Sequence, residues 1–361
     1  MTATPEAEAF KERRGRLGLI TLNRPRAINA LTHDMVRVVA GALEEWRDDP
    51  AVGAVAIVGA GERGLCAGGD VITLYDDTTK GDGLDAAAFW RDEYAMNAVI
   101  SSYPKPYIAI QDGIVLGGGV GVSGHGSHRI VTERTRIGFP ETTIGYIPDV
   151  GATWLLSRAP GELGTRLALS AESVGAADAI LVGFADHFVP AARIPALLAA
   201  LEHEEPADAI ARLAADAPAG SLEAQRSWTD RAFSADTVAE ILDRLHDTGA
   251  DDAVALADAI AQKSPIALSV TLEAVRRARA LPSLEAALVQ EYRVSRHSSA
   301  SHDFAEGIRA QLIDKDRNPR WAPATLSSVT DDGVAAFFAV PSDGDLVLPH
   351  RVESVSKETT A

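Results

Sequence analysis

A hydrophobic run, YIAIQDGIVL (Tyr107–Leu116), empties directly into three consecutive glycines, Gly117, Gly118 and Gly119. No other feature restricts the fold as strongly. A buried strand has to end there in a turn whose backbone N–H groups are bare, because glycine has no side chain to cover them. Further along the same stretch, Pro140-Glu141 and Pro148-Asp149 set two carboxylates in apolar surroundings, each behind a proline that fixes the backbone. Bare N–H groups beside two carboxylates suit chemistry that stabilises an oxyanion while a neighbouring atom is attacked or deprotonated. The structural alternatives are a helix first-turn acid for Glu141 and an N-cap before DVGATWLL for Asp149, which could both cap and react.

The chain before this stretch reads as the start of an α/β layer. GRLGLITL (15–22) is strand-like, and Met35, Val38, Val39, Ala42, Leu43 and Trp46 fall at helical spacing. Asp48-Asp49-Pro50 stops that helix, and AVGAVAIVGAG follows as a second buried strand. A second glycine turn, Gly68-Gly69, comes next, with Asp70 heading another helix. Alone it would be an ordinary left-handed turn. Paired with Gly117–Gly119, the two turns could each supply one N–H to a single carbonyl oxygen. Residues 85–103 have helical periodicity, ended by Pro104 and Pro106, and spacing alone makes Glu93 a solvated helix acid. HRIVTERTRIG reads as a short hairpin-like segment, and residues 164–190 as helix, turn, helix and strand. From residue 191 onward alanine, leucine and acids dominate, and apolar residues recur at helical spacing. The expected organisation is therefore a core over 12–190 holding the active site, a helical region over 191–325 and a tail over 326–361. The polar end of that tail is expected to be partly disordered.

Several function classes are disfavoured. The formal charge of −17 over 361 residues argues against nucleic-acid or anionic-membrane partners, which need basic surface. Cys66 is the single cysteine, so neither a disulfide framework nor a cysteine metal cage is expected. The start, MTATPEAEAFKERRGR, lacks an apolar signal core, and no run reaches the ~20 apolar residues of a membrane span. A cytoplasmic enzyme is the expectation. Gly119-Val-Gly121-Val-Ser-Gly124 formally matches the dinucleotide fingerprint, but it lies mid-chain with no acid ending a second parallel strand ~20 residues later.

Four segments in order, LNRPRAINAL (22–31), GLCAGGDV (64–71), KPYIAIQDGIVLGGGVG (105–121) and FPETTIGYIPDVGATWLL (139–156), resemble the enoyl-CoA hydratase/isomerase (crotonase) superfamily. CAGGD, the placement of Asp149 eight residues after Glu141, and DFAEGIRAQLIDKDRNPRWAP (303–323) are most similar to its 3-hydroxyisobutyryl-CoA hydrolase branch. The resemblance implies an α/β fold, a crotonase-like spiral of β-β-α turns with perpendicular small sheets, followed by a mainly helical C-terminal part. It implies an acyl-CoA thioester as ligand, coenzyme A arriving as part of the substrate, with no cofactor and no metal. The thioester oxygen would bind the N–H groups of Gly69 and Gly118, helped by a helix N-terminus behind Gly118. Glu141 would attack or activate water, Asp149 would serve the substrate hydroxyl or the leaving thiolate, and Glu93 would contact the acyl group. Coenzyme A would lie along Arg26, Ala27, Ile28 and the turn Gly69, Asp70, Val71, Ile72. Lys263 is a further phosphate candidate, although it reads as an exposed surface lysine.

The hydratases of the superfamily carry a first catalytic glutamate where this chain has Gly121. The resemblance therefore implies hydrolysis of a short β-hydroxyacyl-CoA, 3-hydroxyisobutyryl-CoA foremost, as in valine breakdown. Enoyl-CoA hydration or isomerisation and a non-catalytic acyl-CoA-binding role are the alternatives. A homo-oligomer is implied too, a trimer or hexamer, or a dimer where the long helical half changes the contacts.

Overall fold

The computed structural model describes residues 7–348. Its strands form two sheets among the described residues. The larger holds β1 (Ala9–Arg14), β2 (Leu17–Leu22), β3 (Ala54–Gly59), β5 (Tyr107–Gln111), β7 (His128–Val131) and β10 (His187–Phe188), side by side in that order. The smaller holds β4 (Gly64–Cys66), β6 (Ile114–Leu116), β8 (Arg136–Gly138) and β9 (Ser173–Val174). Pairing is parallel throughout except at β1–β2 and β8–β9. Three circuits of the chain, β3–β4, β5–β6 and β7–β8, each lay one strand in the large sheet, the next in the small one, and then turn into a helical segment. That is the β-β-α spiral the resemblance implies.

The residue pattern explains the layering. All six residues of β2 and all five of β5 are buried, as expected for parallel strands covered on both faces. Ile20 and Leu22 face the main core with α1 (His33–Arg47), whose buried positions are Met35, Val36, Val39, Ala42, Leu43 and Trp46. Leu17 and Leu19 point the other way, toward Ile194, Leu197, Leu201 and Ile210 from the first C-terminal helices, Ile194–Leu201 and Pro206–Leu213. The spiral places α2 (Val71–Lys80) and α3 (Leu84–Ser101) after β4, and α4 (Gly118–Gly121) after β6.

HRIVTERTRIG is not a hairpin. Its halves, β7 and β8, pair in parallel with β5 and β6 in different sheets, because each continues a spiral turn already begun. The charged segment Ala9–Arg14 forms an edge strand, mostly exposed, that the sequence pattern does not advertise.

The helical half is built into the core. Leu284, Leu288 and Tyr292 of the helix Leu284–Ser299, with Phe304 and Ile308 of His302–Ile308, join the main cluster. Phe338 packs with Ile266, Val270 and Val294, Leu346 reaches the main core, and Asp343 pairs with Arg296 at 3.0 Å. Residues 349–361 of the expected tail lie outside the described residues.

Candidate active site

Two glycine turns meet at the end of the spiral. Leu31 N–H donates to the Gly68 carbonyl oxygen and Asp70 N–H to the Leu31 carbonyl oxygen, both at 2.8 Å, which pins one turn and skips the Gly69 N–H. Gly118 opens α4, where the first N–H groups have no intrahelical acceptor. Among the described residues, neither Gly69 N–H nor Gly118 N–H has a hydrogen-bond acceptor. A Cβ placed on Gly118 would lie 3.2 Å from the Gly69 nitrogen, so the two donors adjoin. Gly117 before them has φ 49° and ψ −116°, and a Cβ there would come within 2.3 Å of Glu141 Oε1. The helix behind Gly118 is a single turn, so it adds less dipole than a full helix would.

Gly69, Gly118, Glu93, Glu141 and Asp149 line one cavity of about 310 Å³, walled by Phe89, Trp90, Tyr146 and Phe304. Trp90 and Tyr146 stack with centroids 6.1 Å apart, and Phe304 meets Tyr146 edge-on at 5.4 Å. Glu93 is 2% exposed, not a solvated helix acid: its side chain turns inward onto the glycine turns, where a Cβ on Gly118 would lie 2.9 Å from Glu93 Oε1. Glu93 Oε1 and Glu141 Oε2 are buried without a hydrogen-bond partner. Burial, then the Asp149 charge, pushes both carboxyls well above the usual carboxylate range.

Asp149 is treated differently. It does not cap the following helix, Ala152–Leu156, which begins after Gly151. Its Oδ2 accepts from Tyr94 Oη at 2.6 Å and Tyr146 Oη at 3.0 Å. Burial raises its pKa to about 6, while the two phenols pull it back down. Glu291, fully buried on Leu284–Ser299, holds the turn that follows. It accepts from Gly151 N at 2.6 Å, Thr153 N at 2.8 Å and Thr153 Oγ1 at 2.6 Å. Burial pushes that carboxyl up to about 8 against these donors. The turn needs holding, since Val150 sits at φ 57° with no glycine's freedom.

Gly121 has no room for an acid. A Cβ there would stand 2.8 Å from Val150 Cβ and 3.1 Å from Asn97 Nδ2. The residues singled out for coenzyme A divide. Val71 lines the cavity, and Ile72 beside it in α2 is 45% exposed and does not line it. Arg26 and Ala27 lie exposed in the turn Pro25–Ala27, and Ile28 accepts from Ala67 N at 2.9 Å, so the two loops run side by side. The Asp70 carboxylate faces Arg24 at 3.1 Å. Lys263 is half-buried, not surface-exposed, and its Nζ donates to Thr143 Oγ1 at 3.3 Å. Thr143 and Gln311 connect the cavity to a polar hollow lined by Lys263, Arg317 and Trp321. Among the described residues, no group of three or more His, Cys, Asp or Glu side chains could hold a metal ion, and no single helix is long and apolar enough to cross a membrane.

Sequence reasoning misses Tyr94, Tyr146, Glu291 and Ser295. The available signal is a polar pair, Glu291 and Ser295, four residues apart on the buried face of an amphipathic helix.

The chain is similar over nearly its whole length to proteins named 3-hydroxyisobutyryl-CoA hydrolase, mitochondrial. That of Danio rerio is 38% identical over 96% of this chain and 94% of its own length, and that of Homo sapiens 37% over 94% and 90%. A crystal structure of a carnitinyl-CoA dehydratase from Mycobacterium thermoresistibile superposes with a TM-score of 0.93 at 52% identity, covering 96% of this chain and all of that one. One of an enoyl-CoA hydratase from Rhodobacter sphaeroides 2.4.1 gives 0.90 at 42%, covering 95% and 100%. A family profile for enoyl-CoA hydratase/isomerase matches residues 17–338. With the β-β-α spiral and the paired glycine turns in place, the chain belongs to the enoyl-CoA hydratase/isomerase family.

Proposed function

We propose that this chain hydrolyses a short β-hydroxyacyl-CoA, 3-hydroxyisobutyryl-CoA foremost, to the free acid and coenzyme A. The observation that carries the reading is the pair of acceptor-free N–H groups on Gly69 and Gly118 beside the Glu141 carboxyl, with the Gly121 position closed to a second acid. The relatives named for that hydrolysis support it.

The thioester oxygen docks between the two N–H groups, which strengthen as negative charge develops on it. In the water route, Glu141 takes one proton from water as the new C–O bond forms. The C–S bond then breaks with its electron pair on sulfur, and the same proton passes from Glu141 to sulfur, while the product acid keeps the other water proton. In the nucleophilic route the ionised Glu141 bonds to the carbonyl carbon and the C–S bond breaks with its electron pair on sulfur; water then opens the anhydride, one of its protons ending on the thiolate, the other on the product acid, and Glu141 leaving again as the carboxylate. A carboxyl raised by burial is the stronger base in either case. Asp149 and Glu93 hold the substrate hydroxyl within the aromatic wall. Coenzyme A leaves along the adjoining 26–28 and 69–72 loops, with Lys263 within reach of its phosphates, and no separate cofactor enters the scheme.

The test is thiol release from 3-hydroxyisobutyryl-CoA. Glu141→Gln should lose at least a hundredfold in turnover and bind coenzyme A within a few-fold of the parent; near-normal turnover would sink the assignment. The name of the 52%-identical carnitinyl-CoA dehydratase favours a second reading, water removal from a β-hydroxyacyl-CoA. Absorbance of a conjugated enoyl thioester, without free thiol, would select it. A cytoplasmic location and a homo-oligomer belong to the proposal and are checked by cell fractionation and light scattering.

A further inference from the structure

Four oxygens close a ring beneath the cavity. Tyr94 Oη lies 2.6 Å from Asp149 Oδ2 and 2.8 Å from Ser295 Oγ; Tyr146 Oη lies 3.0 Å from the same carboxylate oxygen and 2.5 Å from Ser295 Oγ. Ser295 Oγ also donates to the Glu291 carbonyl oxygen one turn back, at 2.8 Å. Once the serine proton is committed there, two phenol protons remain for the four edges of the ring. Both have an ionised acceptor only if Asp149 is the anion, since a carboxylate is acceptor-only. The 2.6 Å edge falls in the range of a charge-assisted O–H···O⁻ bond. The other two carboxyls of the cavity have no phenol: Glu93 Oε1 and Glu141 Oε2 meet no donor, and Glu141 is aided by its own backbone N–H instead.

We propose that Tyr94 and Tyr146 are positioning residues that concentrate the cavity's negative charge on Asp149 rather than on Glu141, and that Ser295 sets how much of the Tyr146 proton Asp149 receives. Ser295 acts as a competitor. It accepts the Tyr146 proton at the shorter of that phenol's two edges and so limits how far Asp149 is favoured. The titratable groups facing Asp149 are Glu93 and Tyr94 from α3, Glu141 and Tyr146 from the loop before it, and Glu291 from Leu284–Ser299. His125 holds the next carbonyl, Val150 O, at 2.7 Å, and no ion pair among the described residues includes Asp149. The catalytic consequence rests on the hydrolysis reading: a fixed charge on Asp149 makes Glu141 the stronger base toward water.

The experiment is a carboxyl-carbon NMR titration of the full chain labelled on aspartate, with Asp149 identified by its loss in Asp149→Asn. Tyr94→Phe and Tyr146→Phe should each raise the Asp149 midpoint by about one pH unit, a tenfold change in its ionisation at fixed pH. Ser295→Ala, which hands the Tyr146 proton to Asp149, should lower it. Opposite signs separate this role from loosened packing, which would move all three the same way. An unmoved midpoint, or three shifts of one sign, overturns the proposal. The titration needs no substrate, so absent thiol release in the parent would count against the hydrolysis reading alone.

Discussion

Gly118→Ala is the sharpest perturbation of the paired N–H groups. A carbonyl oxygen held by both donors must sit about 2.7–3.1 Å from each nitrogen. The added methyl would stand 3.2 Å from the Gly69 nitrogen, 2.9 Å from Glu93 Oε1 and 3.2 Å from Leu31 Cδ1. Methyl and oxygen thus compete for one place, and the substrate forfeits at least one donor. One lost donor is worth about 3–4 kcal/mol, so kcat/KM for thiol release should fall by about a hundred- to a thousandfold. Stability should change far less. Gly118 is helical with no positive φ, so alanine gains roughly 0.5–1 kcal/mol of backbone entropy there, set against contacts to two movable side-chain ends. The assay pairs initial rates of thiol release with a thermal melt. A variant that melts like the parent and keeps kcat/KM within about fivefold would place the oxyanion elsewhere.

Further outcomes follow from the same geometry. Gly121→Glu should not create a hydratase: with Val150 Cβ 2.8 Å from the new Cβ, it should destabilise the fold by roughly 1–3 kcal/mol in a urea titration, with no hydration of crotonyl-CoA. Glu291→Gln replaces an acceptor of three buried donors with a side chain that has one acceptor atom; about 2–4 kcal/mol of stability should go, together with most thiol release. The ligand-free protein should lose stability as pH rises from about 4 to 7. Asp149, Glu93 and Glu141 have folded pKa values above their unfolded ones, so their contribution is full below the unfolded pKa and vanishes as pH climbs through the folded one. For Asp149, a rise from 3.8 to about 6 is worth roughly 3 kcal/mol at about 1.4 kcal/mol per pH unit, and Asp149→Asn should flatten the curve by that much.

What the sequence reveals divides along chain distance. The glycine turns are legible because glycine at a strand end signals bare backbone, and α1 and α3 because their apolar residues repeat at helical spacing. Glu93 misleads, since spacing places it on a helix without saying that its side chain faces the Gly118 turn, which a later circuit of the spiral brings against it. β7 and β8 mislead for the same reason: their partners are strands from earlier turns of the spiral, not each other. The support around Asp149 is the least legible, because Tyr94 meets Ser295 across 201 positions and Tyr146 meets it across 149. No local pattern encodes such a contact. The polar pair Glu291 and Ser295 on an apolar face is the one hint, and it says that something polar is buried without saying what.

The helix Leu284–Ser299 therefore cannot be treated as an appendage to the catalytic core. Glu291 fixes the backbone after Asp149 through three hydrogen bonds, and Ser295 meets both phenols that bind its carboxylate. The residues that separate hydrolysis from hydration on the proposed reading lie at the same place. Val150, locked at a positive φ by that turn, fills the space beside Gly121, and Asp149, one residue earlier, carries the acid instead. A single turn thus removes one acid and supplies another, and it keeps that shape only while the helix holds it. On the proposed reading the acid at Asp149 depends on more than its own side chain: a helix from the C-terminal half, bearing a buried carboxylate and a hydroxyl four residues apart, holds the turn that carries it.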